Sequence, residues 1–507
     1  MSLRRWPWHW LAPASLGLGL YALTIHGVFV YDDLYSCKAD ERLLHPNQWI
    51  EFLRQGYMAG AADNLWRPLV SFTFALQAWG NGDRPWAFHL VNILLHATAC
   101  ALVAKLGTRL CNKKVGLIAG LLFAAHPVHV EAVAEIVGRA EEMGLIGVLA
   151  GLLFFIGKPL TPARVWGIVG WFLFAAFSKE QGLLFPIFLL VWFLMRHWPA
   201  SNETISDEPS PKAGRQLVAV LTLVMAAYIA YRNHILPWYW DRDFLDPANN
   251  PLIISTGADR WLIPIAVAGR YAMLLVAPYR MSLDYGMDVF TPKLNWSEPW
   301  FYLGLMAIAV GIGAFIIAWK RRSRPAMFCL ILFAASYGMV SNFFFTIGTI
   351  MGDRLMYLPS AFFCLLIAML LAKLPPRCAV AVLAVILILA SIRTVTYAWE
   401  WNNRLRLYTY AVATEPKASM SYLLLAGEVD YPHGEIVMAK ARQEVPEAAQ
   451  VWSKSAWNKI GLGQLDEALA FALHASSIHH GDAEARGAMA KIQELRKAAT
   501  TRSTTSP

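Results

Sequence analysis

Apolar residues in this chain form long runs that short polar segments separate. The first run, Leu11 to Val30, has about the twenty residues that a bilayer crossing requires. Further runs lie at about 88–106, 115–126, 143–157, 165–177, 182–195, 216–231, 300–319, 326–345, 357–372 and 378–392. Several are short, which indicates tilted or bent helices. The pattern predicts an all-α, polytopic membrane protein with about eleven transmembrane helices.

Composition supports this class. Of the 507 residues, 57% are hydrophobic and only 16% are charged, which is too apolar for a set of soluble domains.

The formal net charge is +9, and most basic residues lie in short segments between apolar runs. By the positive-inside rule these segments face the cytoplasm, which places the N-terminus inside and the C-terminus outside. They are Arg4-Arg5, Arg109 with Lys113-Lys114, Lys158 with Arg164, Arg196 with Lys212 and Arg215, Lys320-Arg321-Arg322 with Arg324, and Lys373 with Arg377. Nucleic-acid binding would need one contiguous basic face, so no nucleic-acid partner is expected.

One apolar run does not fit this topology. Trp261 to Ala277 contains Arg270, and a crossing here would move the Lys320 cluster to the outside. The run is therefore predicted to be an interfacial or re-entrant helix. The alternative is an ordinary span with a buried arginine.

The runs divide the chain into two domains and a tail. Residues 1–397 form the predicted membrane module, with long extracytoplasmic loops at about 31–87 and 232–299. Residues 398–500 have the character of soluble helices, and 460–469 has the turn and small-residue spacing of a tetratricopeptide hairpin, although any helical hairpin could show it by chance. A weaker copy has Pro416 and Ala418 in its first helix and Gly434-Glu435 at its turn, and a helix at 483–497 caps the stack. Residues 501–507 are predicted to be a disordered tail.

Candidate chemistry begins directly behind the first span, at Asp32-Asp33. Two carboxylates at a membrane boundary are expensive to desolvate and often have a functional use. The structural alternative is a solvated loop that ends the helix.

Further ionisable motifs fall between other spans, and the predicted topology brings them to the same outer face. A convergence of carboxylates and cations at one face is hard to explain by packing alone. The motifs are Arg67-Pro68-Leu69, His126-Pro127-Val128-His129-Val130-Glu131-Ala132-Val133, Gly138-Arg139-Ala140-Glu141, Ser178-Lys179-Glu180, Ser341-Asn342 and Asp353-Arg354-Leu355-Met356-Tyr357-Leu358-Pro359-Ser360.

In this order, followed by tetratricopeptide-like helices, the motifs resemble the transmembrane and tetratricopeptide repeat-containing protein O-mannosyltransferases. More widely, the chain resembles the C-type glycosyltransferase fold. The block from His126 to Glu141 is the most specific part. The repeat array is shorter than is typical of the family, and Asp353 stands where a glutamate is usual.

The resemblance implies transfer of a mannose-like sugar from a polyprenyl-phosphate carrier to an acceptor hydroxyl, with site residues in defined roles. Asp32 would be the general base, supported by Asp33. Cations would stabilise the negative charge that grows on the donor phosphate as it leaves. The first candidates are Arg139 and Arg354, and the next are Arg67 and Lys179. Candidates for the sugar and acceptor site are His126, His129, Glu131, Glu141 and Asp353.

No cofactor is expected to be required, and the alternative is a divalent metal on His126, His129 and Glu131. Lys179-Glu180 could also be a local ion pair. His89, Asn92 and His96 share a helix face, which favours a hydrogen-bonded seam inside the bundle. Asp241, Asp243, Asp246 and Asn249 could hold a cation, but solvated loop acids are the better interpretation. Asp284-Tyr285 receives no role.

The expected partners are an undecaprenyl- or dolichyl-phosphate sugar, a protein or glycolipid acceptor, and membrane lipids. Three functions compete with a protein glycosyltransferase: modification of a lipid or polysaccharide, lipid or sugar transport, and a non-catalytic repeat scaffold. A transporter would carry its ionisable residues at the midplane rather than at the outer boundary. The expected location is a bacterial inner membrane with a periplasmic active site and C-terminus, with the endoplasmic reticulum as the alternative.

Overall fold

The computed structural model describes residues 8–58, 65–157, 159–195, 210–237 and 246–504, and within these ranges all regular structure is helical. The all-α prediction is confirmed for this part of the chain. Some predictions fall on residues outside the described ranges, namely Arg4-Arg5, Lys158, Arg196, Asp241, Asp243 and the last three residues of the predicted tail.

Fourteen helices make up the membrane module in the described part of the chain. They are α1 (Trp8–Tyr21), α2 (Pro68–Asn81), α3 (Pro85–Leu110), α4 (Lys113–Ala125), α5 (Val130–Ala134), α6 (Arg139–Phe155), α7 (Pro162–Ser178), α8 (Phe185–Leu194), α9 (Pro211–Ile235), α10 (Asp259–Val276), α11 (Pro299–Lys320), α12 (Arg324–Val340), α13 (Tyr357–Leu371) and α14 (Pro376–Glu400). Several begin with proline, which fits the first turn because a backbone N–H there has no partner within the helix. The first predicted span is helical only as far as His26. α1 ends at Tyr21, a 3₁₀ helix (Ala22–His26) follows it, and residues 27–30 are not helical.

By length and composition, five helices in the described ranges could cross a membrane, or six if the bent pair Lys113–Ala125 and Pro127–Ala134 is one span. The five are Pro85–Leu110, Lys212–Ile235, Pro299–Lys320, Asp353–Leu371 and Pro376–Glu400. Shorter apolar helices include Pro162–Ser178 and Arg324–Val340. The chain is thus a helical membrane protein, and the number of about eleven spans stays a prediction.

Glycines allow the closest helix contacts. A Cβ on Gly147 of α6 would lie 2.7 Å from the Cβ of Ala175 in α7, and one on Gly107 of α3 would lie 2.9 Å from the Cα of Gly116 in α4. In lipid, helices gain little from the hydrophobic effect when they associate, so close packing matters more. Small residues allow this packing because they let the helix backbones approach each other.

The bundle has one basic end and one acidic end. At the basic end, Lys114 Nζ donates to the carbonyl of Ala372 over 2.9 Å, and Arg109 Nε donates to that of Ile156 over 3.0 Å. At the opposite end, the rings of His129 and Tyr357 lie 4.9 Å apart. α4 and α13 are therefore antiparallel, and the candidate site residues collect at the end away from the basic segments.

Helix α10 lies across the acidic end. Near its start, Arg260 donates to the carbonyl of Asn342, just after α12, and near its end the carbonyl of Leu275 accepts from His126, just after α4. Between them, Tyr271 donates to the carbonyl of Gly352, just before α13. A helix whose two ends meet the same end of the bundle has the arrangement expected of an interfacial or re-entrant segment.

Six further helices follow, namely α15 (Arg404–Thr414), α16 (Ser419–Gly427), α17 (Tyr431–Glu444), α18 (Ala449–Gly461), α19 (Leu465–Ile478) and α20 (Ala483–Thr504). The turn after Gly461 is where the repeat pattern placed it, and Gly463 supplies its positive φ of 74°. The weaker copy was misplaced: Pro416 and Ala418 lie between α15 and α16, and Gly434-Glu435 lies inside α17. The glycine packs beside Asn458, so it marks a close contact rather than a turn. The tetratricopeptide assignment stays a prediction.

Candidate active site

The centre of the site is an ion pair between Asp32 and Arg354. Arg354 Nη2 donates to Asp32 Oδ2 over 2.9 Å, across more than 300 residues of sequence. Asp32 follows Tyr31, whose φ of 45° turns the chain sharply after the first helical segment. Arg354 lies in the 3₁₀ turn Asp353–Met356 that leads into α13. The side chain of Asp32 is 19% exposed and that of Arg354 is 23% exposed, so both are accessible to a ligand.

Two glutamates hold Arg354 from the other side. Glu131 Oε2 accepts from the backbone N–H of Arg354 over 2.8 Å, and Glu135 Oε2 accepts from its Nη1 over 2.6 Å. Sequence reasoning identified Glu131 in α5 and missed Glu135, which follows α5 directly, four residues after Glu131. Burial raises the pKa of Glu135 well above its ordinary value, against the lowering effect of Arg354. A protonated Glu135 would reduce the excess negative charge around the arginine.

Asp33 is buried and binds backbone instead of facing the site. Its two carboxylate oxygens accept from the N–H groups of Val30, over 3.2 Å, and Val137, over 2.9 Å. Burial raises the pKa of Asp33 to about 7, although these N–H groups act to lower it. Asp33 thus supports Asp32 through the backbone, by tying the loop to the 3₁₀ turn that precedes α6.

A second charged cluster includes Lys179 and Arg67. Lys179 Nζ lies 2.5 Å from Glu141 Oε1, and Arg67 makes two hydrogen bonds of 3.0 Å to Glu180. Glu141 is close enough to Glu131 for a Coulombic interaction, which connects this cluster with the first. The structure therefore brings Arg67, Lys179 and Glu141 near the Asp32–Arg354 pair.

Arg139, predicted to bind phosphate, occupies a different position. It is fully buried, and it donates to the side chains of Asn92 (2.9 Å) and Thr73 (3.0 Å) and to the carbonyl of Phe88 (3.0 Å). These contacts join α2 and α3 to the start of α6. Its position gives the predicted phosphate-binding role no support.

The histidines and Asp353 form buried hydrogen bonds around the site. His126 Nε2 bonds to the carbonyl of Leu275 over 3.0 Å, and His129 Nε2 lies 2.7 Å from Ser360 Oγ. Asp353 Oδ1 accepts from the Tyr285 hydroxyl over 2.9 Å, so Tyr285 is a second residue near the site to which the sequence gave no role. Within the described ranges, no three His, Cys, Asp or Glu side chains are grouped to hold a metal ion.

The predicted seam on α3 also has polar contacts inside the bundle. Asn92 donates to the carbonyls of Glu135 and Ile136, both over 3.1 Å, and His96 Nδ1 lies 2.9 Å from the Tyr357 hydroxyl. These bonds hold the backbone at Glu135 and the start of α13, which are the segments that carry the cluster around Arg354.

An apolar groove runs along the bundle beside the site. It has a volume of about 1780 Å³ and is lined mainly by α10, α11, α12 and α13. One end includes Tyr271 and Met356, which adjoin Gly352 and Arg354, and the other includes Arg322 and Lys373. The groove thus connects the acidic end of the bundle with the basic end.

Sequence comparison identifies curated proteins that are similar to this chain. No protein-family model matches the chain. It is 27% identical over 415 residues to protein O-mannosyl-transferase F38B6.6 of Caenorhabditis elegans, covering 79% of this chain and 57% of the relative. It is 24% identical over 492 residues to mouse protein O-mannosyl-transferase TMTC2, covering 80% and 58%. For human protein O-mannosyl-transferase TMTC1, the identity is 26% over 440 residues, covering 78% and 50%.

The chain therefore spans less than three-fifths of the length of these relatives. The similarity covers most of the membrane module and agrees with the resemblance carried by the motifs. Over about four-fifths of its length, the chain is thus similar to curated protein O-mannosyl-transferases of the TMTC type.

Proposed function

We propose that this protein is a glycosyltransferase that moves a mannose-like sugar from a polyprenyl-phosphate carrier to a serine or threonine hydroxyl of a protein. The observation that carries the proposal is the accessible Asp32–Arg354 pair beside the end of an apolar groove. The names of the homologous proteins support the same chemistry.

Asp32 is the proposed general base. It is 19% exposed, whereas Glu131 is 2% exposed and Glu135 is fully buried. As the acceptor oxygen bonds to the anomeric carbon, its proton passes to Asp32 and the carbon–oxygen bond to the lipid phosphate breaks. The phosphate leaves with the bonding electrons and needs little protonation.

Arg354 is the proposed phosphate ligand, with Lys179 and Arg67 nearby. A guanidinium presents a planar set of donors that suits phosphate oxygens. In the structure each of these cations pairs with a carboxylate, so phosphate must compete with that carboxylate. A partly exposed Arg354 can exchange one carboxylate for a phosphate oxygen while Glu131 and Glu135 keep it in place.

The groove is proposed to hold the isoprenoid chain of the donor. At about 1.5 Å per residue, α13 is about 22 Å long, so a groove beside it can accept several isoprene units. With the chain in the groove, the phosphate would lie beside Gly352 and Arg354, at the membrane boundary.

The site and the C-terminal helices are proposed to face the non-cytoplasmic side, of a bacterial inner membrane with an undecaprenyl carrier. An endoplasmic-reticulum membrane with a dolichyl carrier is the alternative. We also propose that transfer needs no metal ion, because Arg354, Lys179 and Arg67 supply the positive charge. Activity should then persist in excess EDTA, and restoration by a divalent cation after a loss in EDTA would contradict this.

The direct test uses the purified full chain with undecaprenyl- and dolichyl-phosphate mannose. Serine- and threonine-containing proteins and membrane lipids are offered as acceptors, and products are identified by intact mass. We expect a gain of about 162 Da, one hexose, on a protein acceptor, and no gain with Asp32→Asn. A gain on lipid alone would overturn the proposed acceptor, and no transfer from either donor would overturn the function.

A further inference from the structure

We infer that the first C-terminal helix, α15, positions both members of the Asp32–Arg354 pair, so that the C-terminal domain controls the catalytic geometry. The inference rests on the proposed function for its catalytic meaning. Its structural part concerns Tyr408 and Glu415, which act as positioning residues.

The first contact acts on Asp32. The backbone N–H of Tyr31 donates to the Tyr408 hydroxyl over 3.2 Å. Tyr31 has a left-handed φ of 45°, which is unfavourable for a bulky residue and persists only where surrounding contacts hold it. Because Asp32 follows directly, the Tyr408 hydroxyl helps to fix the direction in which the base enters the site.

The second contact acts on the Arg354 segment through a short chain of side chains. Glu415 pairs with Arg270 of α10, and both are buried. Arg270 Cζ lies 5.5 Å from the ring centre of Tyr285, whose hydroxyl donates to Asp353 Oδ1 over 2.9 Å. Asp353 precedes Arg354, so the chain of contacts ends at the backbone that carries the proposed phosphate ligand.

The two contacts originate from α15 and from the residue directly after it. Tyr408 and Glu415 are seven residues apart, about two helical turns, with Glu415 directly after the last residue of α15. A shift of α15 would therefore move both contacts together. A segment that binds the C-terminal helices could in this way change the spacing of base and phosphate ligand.

Simple attachment of the two domains would need no such connection. Another α15 tyrosine, Tyr410, bonds to Arg393 of α14, which also donates to the carbonyl of Pro278. The hydrogen bonds of Arg393 join the domains and end at Tyr410, Pro278 and Tyr279 rather than at Asp32 or Arg354. Tyr410→Phe is thus a matched control for Tyr408→Phe. Glu428→Gln, at a partly exposed pair with Arg404, is the control for Glu415→Gln.

The experiment measures hydrogen–deuterium exchange and steady-state kinetics on the full-length variants. In Tyr408→Phe, which removes a partly buried hydrogen bond, the peptide containing Tyr31 should exchange about tenfold faster than in wild type. In Glu415→Gln, which removes a buried ion pair, the peptide containing Asp353 should exchange about tenfold faster. Both variants should lower kcat about tenfold while leaving the donor KM within twofold. Both controls should stay within twofold of wild type in all measurements.

Unchanged exchange in Tyr408→Phe and Glu415→Gln, or controls that lose as much kcat, would overturn the positioning role. Exchange needs no substrate, so it separates this inference from the proposed function. Faster exchange at both peptides in a protein that transfers no sugar would refute the glycosyltransferase proposal and leave the structural connection supported.

Discussion

At the scale of single residues, access separates the carboxylates of the site from one another. Four of the five carboxylates are buried and bound to backbone, to Arg354 or to Tyr285, namely Asp33, Glu131, Glu135 and Asp353. Asp32 is the one among these five whose side chain is accessible. The adjacent carboxylates Asp32 and Asp33 can therefore have different roles, because their side chains leave the loop in different directions.

Asp32→Asn should reduce transfer by about 10²–10⁴-fold, the usual range for loss of a general base, with little change in stability. The measurement is the turnover rate of purified protein together with its melting temperature. Asp83→Asn, at an exposed position in the loop between α2 and α3, is the control and should be neutral. Near-normal turnover by Asp32→Asn would remove it from the mechanism.

Arg139→Ala should act on folding. Its removal leaves Asn92, Thr73 and the Phe88 carbonyl without their partner, at a cost on the order of 1–3 kcal/mol for each buried group that stays unsatisfied. A thermal-unfolding scan should show a clearly lower melting temperature, whereas donor affinity in the folded fraction should be unchanged. Weaker donor binding at normal stability would instead restore the phosphate-binding role.

At the scale of helices, close packing brings the second cluster into place. Gly147 of α6 faces the backbone and Cβ of Ala175, and Gly144, one turn earlier, leaves room for the side chain of Lys179. The approach of α6 to α7 thus sets the distance between Lys179 and Glu141, which lie where these two helices meet.

Gly147→Ala should force α6 and α7 apart, since the added Cβ would lie under 3.0 Å from three atoms of Ala175. Overpacking of this kind typically costs about 1–3 kcal/mol. Gly170→Ala in α7 is the matched control, because its Cβ meets nothing within 4 Å. Thermal unfolding of the two variants compares them directly, and equal melting temperatures would refute the packing argument.

At the scale of the whole molecule, charge separates the two ends of the bundle. Arg109, Lys114 and Lys373 lie at one end, and the carboxylate cluster, α10 and α15 lie at the other. The positive-inside rule then predicts which end faces the cytoplasm.

An impermeant maleimide should reach Cys378, an exposed native cysteine near the basic end, only from the cytoplasmic side. In a cysteine-free background, Ser477→Cys in α19 should react only from the opposite side. Labelling of both positions from the same side would separate the C-terminal helices from the proposed outer face and refute this topology.

The sequence by itself determined the helical class, the approximate helix positions and the grouping of most candidate residues. Apolar runs, initial prolines and short basic segments are local signals, and Asp32, Glu131, Lys179 and Arg354 stand next to them. Glu135 was within reach of the same reasoning, since it lies one turn after Glu131.

Only the tertiary structure decided which of these charges are accessible and which partners they have. Arg139 and Arg354 look alike in their motifs, but one is enclosed by Asn92 and Thr73, and the other faces Asp32 across more than 300 residues. The contacts of Tyr408 and Glu415 with the site likewise join segments that are remote in sequence. Hydropathy and spacing report a residue's neighbours along the chain, whereas burial and ion pairing depend on neighbours in space, which are established only when the helices pack.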